Sequence, residues 1–108
     1  KNNITWLNLA DCMLNDNHLS YVSNFPNLTR LKIQKNPLVT NKGIEALQKL
    51  EHLTELNLYG TRVSNNTLIT LGQMKGLKKL FVWNTSITDK AIADFKALNP
   101  DIEVIAGF

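Results

Sequence analysis

Apolar residues return in one arrangement four times along the chain. They occupy the first, fourth and sixth positions of stretches that begin at Ile4, Leu28, Leu53 and Leu77. These are Ile4, Leu7 and Leu9; Leu28, Leu31 and Ile33; Leu53, Leu56 and Leu58; and Leu77, Leu80 and Val82. Alternation across the last three of these positions is the period-two signature of a half-buried strand. An apolar residue follows at the turn (Leu14, Leu38, Val63, Ile87), then a polar one suited to open a helix (Asn15, Thr40, Ser64, Thr88). The side-chain oxygen of such a residue accepts from an early helical N–H that has no intrahelical partner. Downstream, apolar residues recur three apart, as one stripe of a short helix requires. They are Leu19, Val22 and Phe25; Ile44, Leu47 and Leu50; Leu68, Leu71 and Met74; and Ile92, Phe95 and Leu98. Each unit is therefore predicted to run strand, turn, helix, with the strand leucines facing the helix stripe.

The units occupy residues 4–27, 28–52, 53–76 and 77–101, a period of 24 or 25 residues. The second carries one extra residue near Val39, which the turn can absorb without disturbing strand register. A single unit has nothing on which to bury its sides, so neighbours must stack, and the whole is read as one domain over residues 1–108. Pro100 stops the last helix, because its ring supplies no N–H. Ile102 to Ile105 reads as a fifth strand within a terminal segment, 102–108, that Gly107 and Phe108 close. The chain starts almost at the first strand with no covering element ahead of it, so it is expected to be a piece of a longer protein.

The run Leu-x-x-Leu-x-Leu-x-x-Thr-x-Ile-Thr-Asp from Leu77 to Asp89 resembles leucine-rich repeats of a form common in bacterial proteins, with four in-phase copies over about nine-tenths of the chain. That resemblance implies an α/β fold: a right-handed leucine-rich-repeat solenoid, with parallel strands on the concave face and short helices on the convex face. Four repeats and a terminal half-repeat are expected. In the family the ninth side chain of each repeat bonds backbone groups inside the turn. Here that position reads Cys12, Asn36, Thr61 and Thr85 and departs from a uniform asparagine. The ending FVWNTSITDKAIADFKALNPDIEVIAGF is also similar to the tails of repeat segments that follow c-type cytochrome domains in some bacteria. No Cys-x-x-Cys-His haem attachment sequence is present, so any haem would belong to a domain outside this chain.

Composition narrows the function classes. With 44% hydrophobic residues, the 108-residue chain can bury a core large enough to offset its ordering entropy. No apolar run approaches the roughly 20 residues of a membrane helix, so no membrane insertion is expected. One cysteine excludes an internal disulfide, and neither a signal segment nor a cysteine pair constrains the compartment. Cys12, at the turn-lining ninth position, is expected to be a buried structural thiol. His18 and His52 lie far apart in the repeat pattern, and nothing pairs either with a nucleophile, so no catalytic residue is assigned and the chain is read as a non-enzyme. Asp11, Asp16, Glu55, Asp89 and Asp94 fall on different turns, strands and helices and form no metal-ligand group; no metal or cofactor is assigned. Asp16, Asn41, Asn65 and Asp89 recur at one spot, where a short polar or anionic side chain favours a helix start. The net charge of +3 is spread over strands and helices, which argues against a phosphate-backbone site.

Stacking the units makes columns of the strand residues that point away from the leucines. The third-position column is Trp6, Arg30, Glu55 and Lys79; the fifth is Asn8, Lys32, Asn57 and Phe81; the seventh is Ala10, Gln34, Tyr59 and Trp83. Tyr59, Phe81 and Trp83 should meet near one end of the strand face, with Arg30, Lys32, Glu55 and Lys79 as charged neighbours. Aromatics beside arginine are enriched at protein interfaces. These seven residues are thus the candidate partner-binding site of a non-catalytic module that binds a protein, a peptide or another domain of the parent chain. Two readings compete at the patch: the aromatics cover the last units as a cap, or they stack on a glycan. At the level of the whole chain, the alternative is an accessory C-terminal repeat segment of a bacterial c-type cytochrome-like redox protein.

Overall fold

The strand–turn–helix order occurs four times and a last strand follows in the computed structural model, which describes residues 3–107. The elements are β1 (Trp6–Asn8), α1 (Asp16–Val22), β2 (Arg30–Lys32), α2 (Asn41–Ala46), β3 (Glu55–Asn57), α3 (Asn66–Gly72), β4 (Lys79–Phe81), α4 (Asp89–Leu98) and β5 (Glu103–Ile105). A single 3₁₀ turn, Leu47–Lys49, prolongs α2. The five strands form one parallel sheet in chain order, because each helix carries the chain back to the same end. Phe108 lies outside the described residues, and the fifth strand is one residue shorter than the sequence predicted.

Register follows the leucines. Leu7, Leu31, Leu56, Leu80 and Val104 stand side by side, and so do Trp6, Arg30, Glu55, Lys79 and Glu103. Backbone pairing runs past the three-residue strands on both sides: Thr29 N donates to Thr5 O at 2.7 Å, and Lys35 N to Tyr59 O at 2.7 Å. The leucine face packs on the helices. Leu31, Leu56, Leu80, Leu19, Ile44, Leu47 and Leu71 belong to one fully buried cluster. At the β1 end, Ile4, Leu7 and Leu9 are only half-buried, since no described unit covers their other side.

Each strand turns into its loop through the left-handed region at the eighth position of the unit. Asp11, Lys35, Gly60 and Asn84 have φ of 53°, 61°, 72° and 56°. Asp, Asn and Gly tolerate this conformation; Lys35 is the member of the set that bears a steric cost. At the ninth position, Asn36 is fully buried and joins two units. Its Oδ1 accepts from Cys12 N and Leu14 N at 3.1 and 2.9 Å, and its Nδ2 donates to Leu9 O and Ile33 O at 3.0 and 2.8 Å. Thr61 and Thr85 reach only within their own units, donating to Leu58 O and Val82 O.

A second ladder links the helix starts. Asp16 accepts from the Thr40 N–H at 2.8 Å and from the Thr40 hydroxyl. Asn41 accepts from Ser64 N at 2.9 Å and donates to the Ser64 hydroxyl at 2.7 Å, and Asn65 repeats the pattern on Thr88. At Asp16, Asn41 and Asn65 the recurring polar position that the sequence assigned to the helix dipole is therefore an inter-unit clamp, while Asp89 is an acidic residue in the first turn of α4. In the first unit His18 takes the role that a preceding clamp would fill: its Nδ1 accepts from Asn15 N at 2.9 Å, reciprocating the Asn15 cap.

Four sequence expectations need correction. The extra residue of the second unit pushes Leu38 outward, 46% exposed, and seats Val39 in the core instead. Ser64 does not cap α3: its hydroxyl accepts from Asn41, the helix starts at Asn66, and Asn65 precedes it without a side-chain cap. Leu98 leaves the buried stripe and is 81% exposed, at an open groove of about 440 Å³ that Gly72 also lines. Cys12 is exposed, not buried. Its ninth position is buried where units flank it on both sides, at Asn36 and Thr61, and the described chain has no unit ahead of Cys12.

Candidate interaction face

The pleat that buries Leu31, Leu56 and Leu80 turns their neighbours to the opposite face of the sheet. There the structure brings all seven candidate residues together. Arg30 is exposed, while Lys32, Glu55, Tyr59, Lys79, Phe81 and Trp83 are half-buried. Phe81 lies between buried Leu80 and Val82 in sequence and points away from the core they enter.

Tyr59 and Trp83 sit in the loop segments that follow β3 and β4. Backbone bonds such as Lys35 N to Tyr59 O and Leu58 N to Phe81 O hold those segments in step with the sheet. Their ring centroids are 4.5 Å apart with planes inclined by 41°, and Phe81 stands 6.2 Å from Trp83 at 51°. Tilted pairs at these distances suit the ring quadrupoles and fix the rings as one platform. The Lys79 ammonium lies 5.4 Å from the centre of the Phe81 ring. On the other side of the face, the Lys32 ammonium lies 5.9 Å from the centre of the Trp6 ring. Both are cation–π placements, which hold a long flexible side chain over an apolar surface.

Arg30 Nε and Glu55 Oε1 are 4.0 Å apart across β2 and β3, with the arginine side chain 61% exposed. An open pair at that distance contributes little to stability, so Arg30 can rearrange at little cost. No ion pair within 4.0 Å engages Lys32 or Lys79 among the described residues. Trp6, which heads the third-position column and is not among the seven candidates, joins the face through its Lys32 contact. Gln34 completes the seventh column, and its Oε1 is buried with no hydrogen-bond partner.

The histidines and the cysteine lie elsewhere in the units. His18 is committed to its cap, His52 sits in the exposed turn before β3, and the Cys12 thiol contacts Ala10 O at 3.2 Å. Among the described residues no group of three or more His, Cys, Asp or Glu side chains could hold a metal ion. No described helix is long and apolar enough to cross a membrane.

Neither a protein-family model nor a curated protein sequence matches this chain. Among solved structures, a chain in the structure of Chaetomium Mex67:Mtr2 subunits superposes with a TM-score of 0.74 at 12% sequence identity, covering 95% of this chain and 80% of that one. At this identity the likeness concerns the fold: an α/β arrangement with parallel strands in one sheet.

Proposed function

We propose that the chain is a leucine-rich-repeat solenoid that binds a protein or peptide through its concave strand face. One observation carries this reading: four aromatic rings (Trp6, Tyr59, Phe81 and Trp83) and three cations share a single open face, although nothing in the core requires them there. Half-buried aromatics beside cations supply the apolar area and the polar rim that interface anchors need. The partner is another protein or another domain of the same parent chain.

The test is selection of displayed peptides on the folded domain, followed by binding to a Tyr59→Ala/Trp83→Ala variant. Loss of a central anchor costs about 2 kcal/mol or more, so affinity should fall at least about thirtyfold. The melting temperature should move by less than about 5 °C, as expected of surface changes in a domain of this size. A large drop in melting temperature with binding of the selected peptides unchanged would identify the rings as a cap.

A further inference from the structure

We propose that the segment recognised by this face is an extended, acidic peptide with a single apolar side chain as its anchor. This rests on reading the strand face as a binding surface, and it specifies the partner by charge. The cations there are Arg30, Lys32 and Lys79, with Lys35 at the adjoining turn; the carboxylates are Glu55, Glu103 at the β5 edge and, at the turn position matching Lys35, Asp11, so the cations exceed the carboxylates by one. Glu55 stands in register between Arg30 and Lys79 and turns to Arg30, and Glu103 stands in register with Lys79; neither glutamate forms an ion pair with Lys79 within 4.0 Å. The ammoniums of Lys32 and Lys79 are thus outside any direct ion pair and open to a closer carboxylate.

Their placement makes the charge specific. Lys79 stands over Phe81, within the aromatic platform, so a carboxylate beside an anchored apolar side chain would meet an ammonium already in position. Arg30 and Lys32 lie on β2, two strands from β4, a distance of about 10 Å at ordinary strand spacing. An extended chain covers that distance in about three residues. The matching segment thus has one acidic residue next to its apolar anchor and a second about two or three residues further on, directed towards β2. A basic segment would meet like charge at both points, and a neutral one would leave both ammoniums without a partner.

The experiment titrates the whole chain with a fluorescein-labelled octapeptide that contains one leucine, a glutamate beside it, and glutamates two and three residues on. The same peptide with every glutamate replaced by glutamine, or by lysine, and a labelled oligouridylate serve as comparisons. Each exposed ion pair is worth up to about a fivefold change in affinity. The acidic peptide should therefore bind about tenfold tighter than the glutamine form. Screening should erase most of that advantage between about 0.05 and 0.5 M salt. Lys32→Glu/Lys79→Glu should reverse the order of the acidic and lysine peptides. Equal binding of the acidic and glutamine forms, or tighter binding of the lysine form, overturns the acidic preference and leaves a neutral or basic peptide partner in place. Oligouridylate binding tighter than the acidic peptide overturns a peptide partner in favour of a nucleic acid. If none of the four probes binds, the acidic preference is overturned; the displayed-peptide selection then decides separately whether the face binds peptides at all.

Discussion

Asn36 shows what one side chain contributes to the stack. Its amide is fully buried and bonds backbone groups of two units, so truncation would strand two N–H donors and two carbonyls. Each buried group left unpaired costs about 1–3 kcal/mol, with some relief from relaxation and entering water. Asn36→Ala is expected to lose about 2–4 kcal/mol in urea unfolding, whereas Thr85→Ala, which breaks bonds within one unit, should lose about 1 kcal/mol. The importance of the ninth position was legible from its recurrence. What recurrence could not show is which copy bridges units, because that depends on reach: an amide spans the gap to the preceding turn, and a threonine hydroxyl does not. The exposure of Cys12 has a related cause. Its residue type suits burial, but burial at this position is supplied by neighbours on both sides.

At the scale of elements, the helices are short, and α1 to α3 have six or seven residues each. Helices of that length are marginal in isolation and depend on packing and on their ends. The Asp16–Thr40, Asn41–Ser64 and Asn65–Thr88 contacts anchor each helix start to the one before it. Asn41 is the most heavily used, since the Thr67 hydroxyl also donates to its Oδ1. Asn41→Ala is expected to cost about 2–3 kcal/mol, and hydrogen exchange should accelerate in α3 more than in α1. Exchange that quickened uniformly along the chain would show that the clamp does not act locally. The sequence displayed the recurrence of these residues, and helix-start chemistry explained it adequately within one unit; only the stack reveals that the bond crosses to the next. Gly43 belongs to the same contact, because a Cβ there would collide with the Asp16 carboxylate and lie 2.9 Å from the Leu19 side chain. The displacement of Leu38 by Val39 has a simpler origin: one inserted residue shifts which of two adjacent apolar side chains meets the core.

Over the whole molecule, the strand face was the most legible feature. Parallel strands in chain order with constant register put every third- and fifth-position residue in a predictable column, and the observed pairing of Trp6, Arg30, Glu55 and Lys79 follows from the leucine spacing alone. Less visible was how side chains on that face interact, since the reach of Lys32 to Trp6 and of Lys79 to Phe81 depends on rotamers rather than spacing. The helix layer holds a rival surface, the groove at Gly72 flanked by Ile69 and Leu98, which are 65% and 81% exposed. It is apolar and lacks the cations of the strand face. The two surfaces are on opposite sides of the core, so amide chemical-shift mapping with the acidic octapeptide separates them. Titration should shift the backbone signals of Arg30, Lys32, Tyr59, Lys79, Phe81 and Trp83 and both tryptophan indole signals. Shifts centred on Ile69, Gly72 and Leu98, with the strand signals unmoved, would contradict recognition by the strand face.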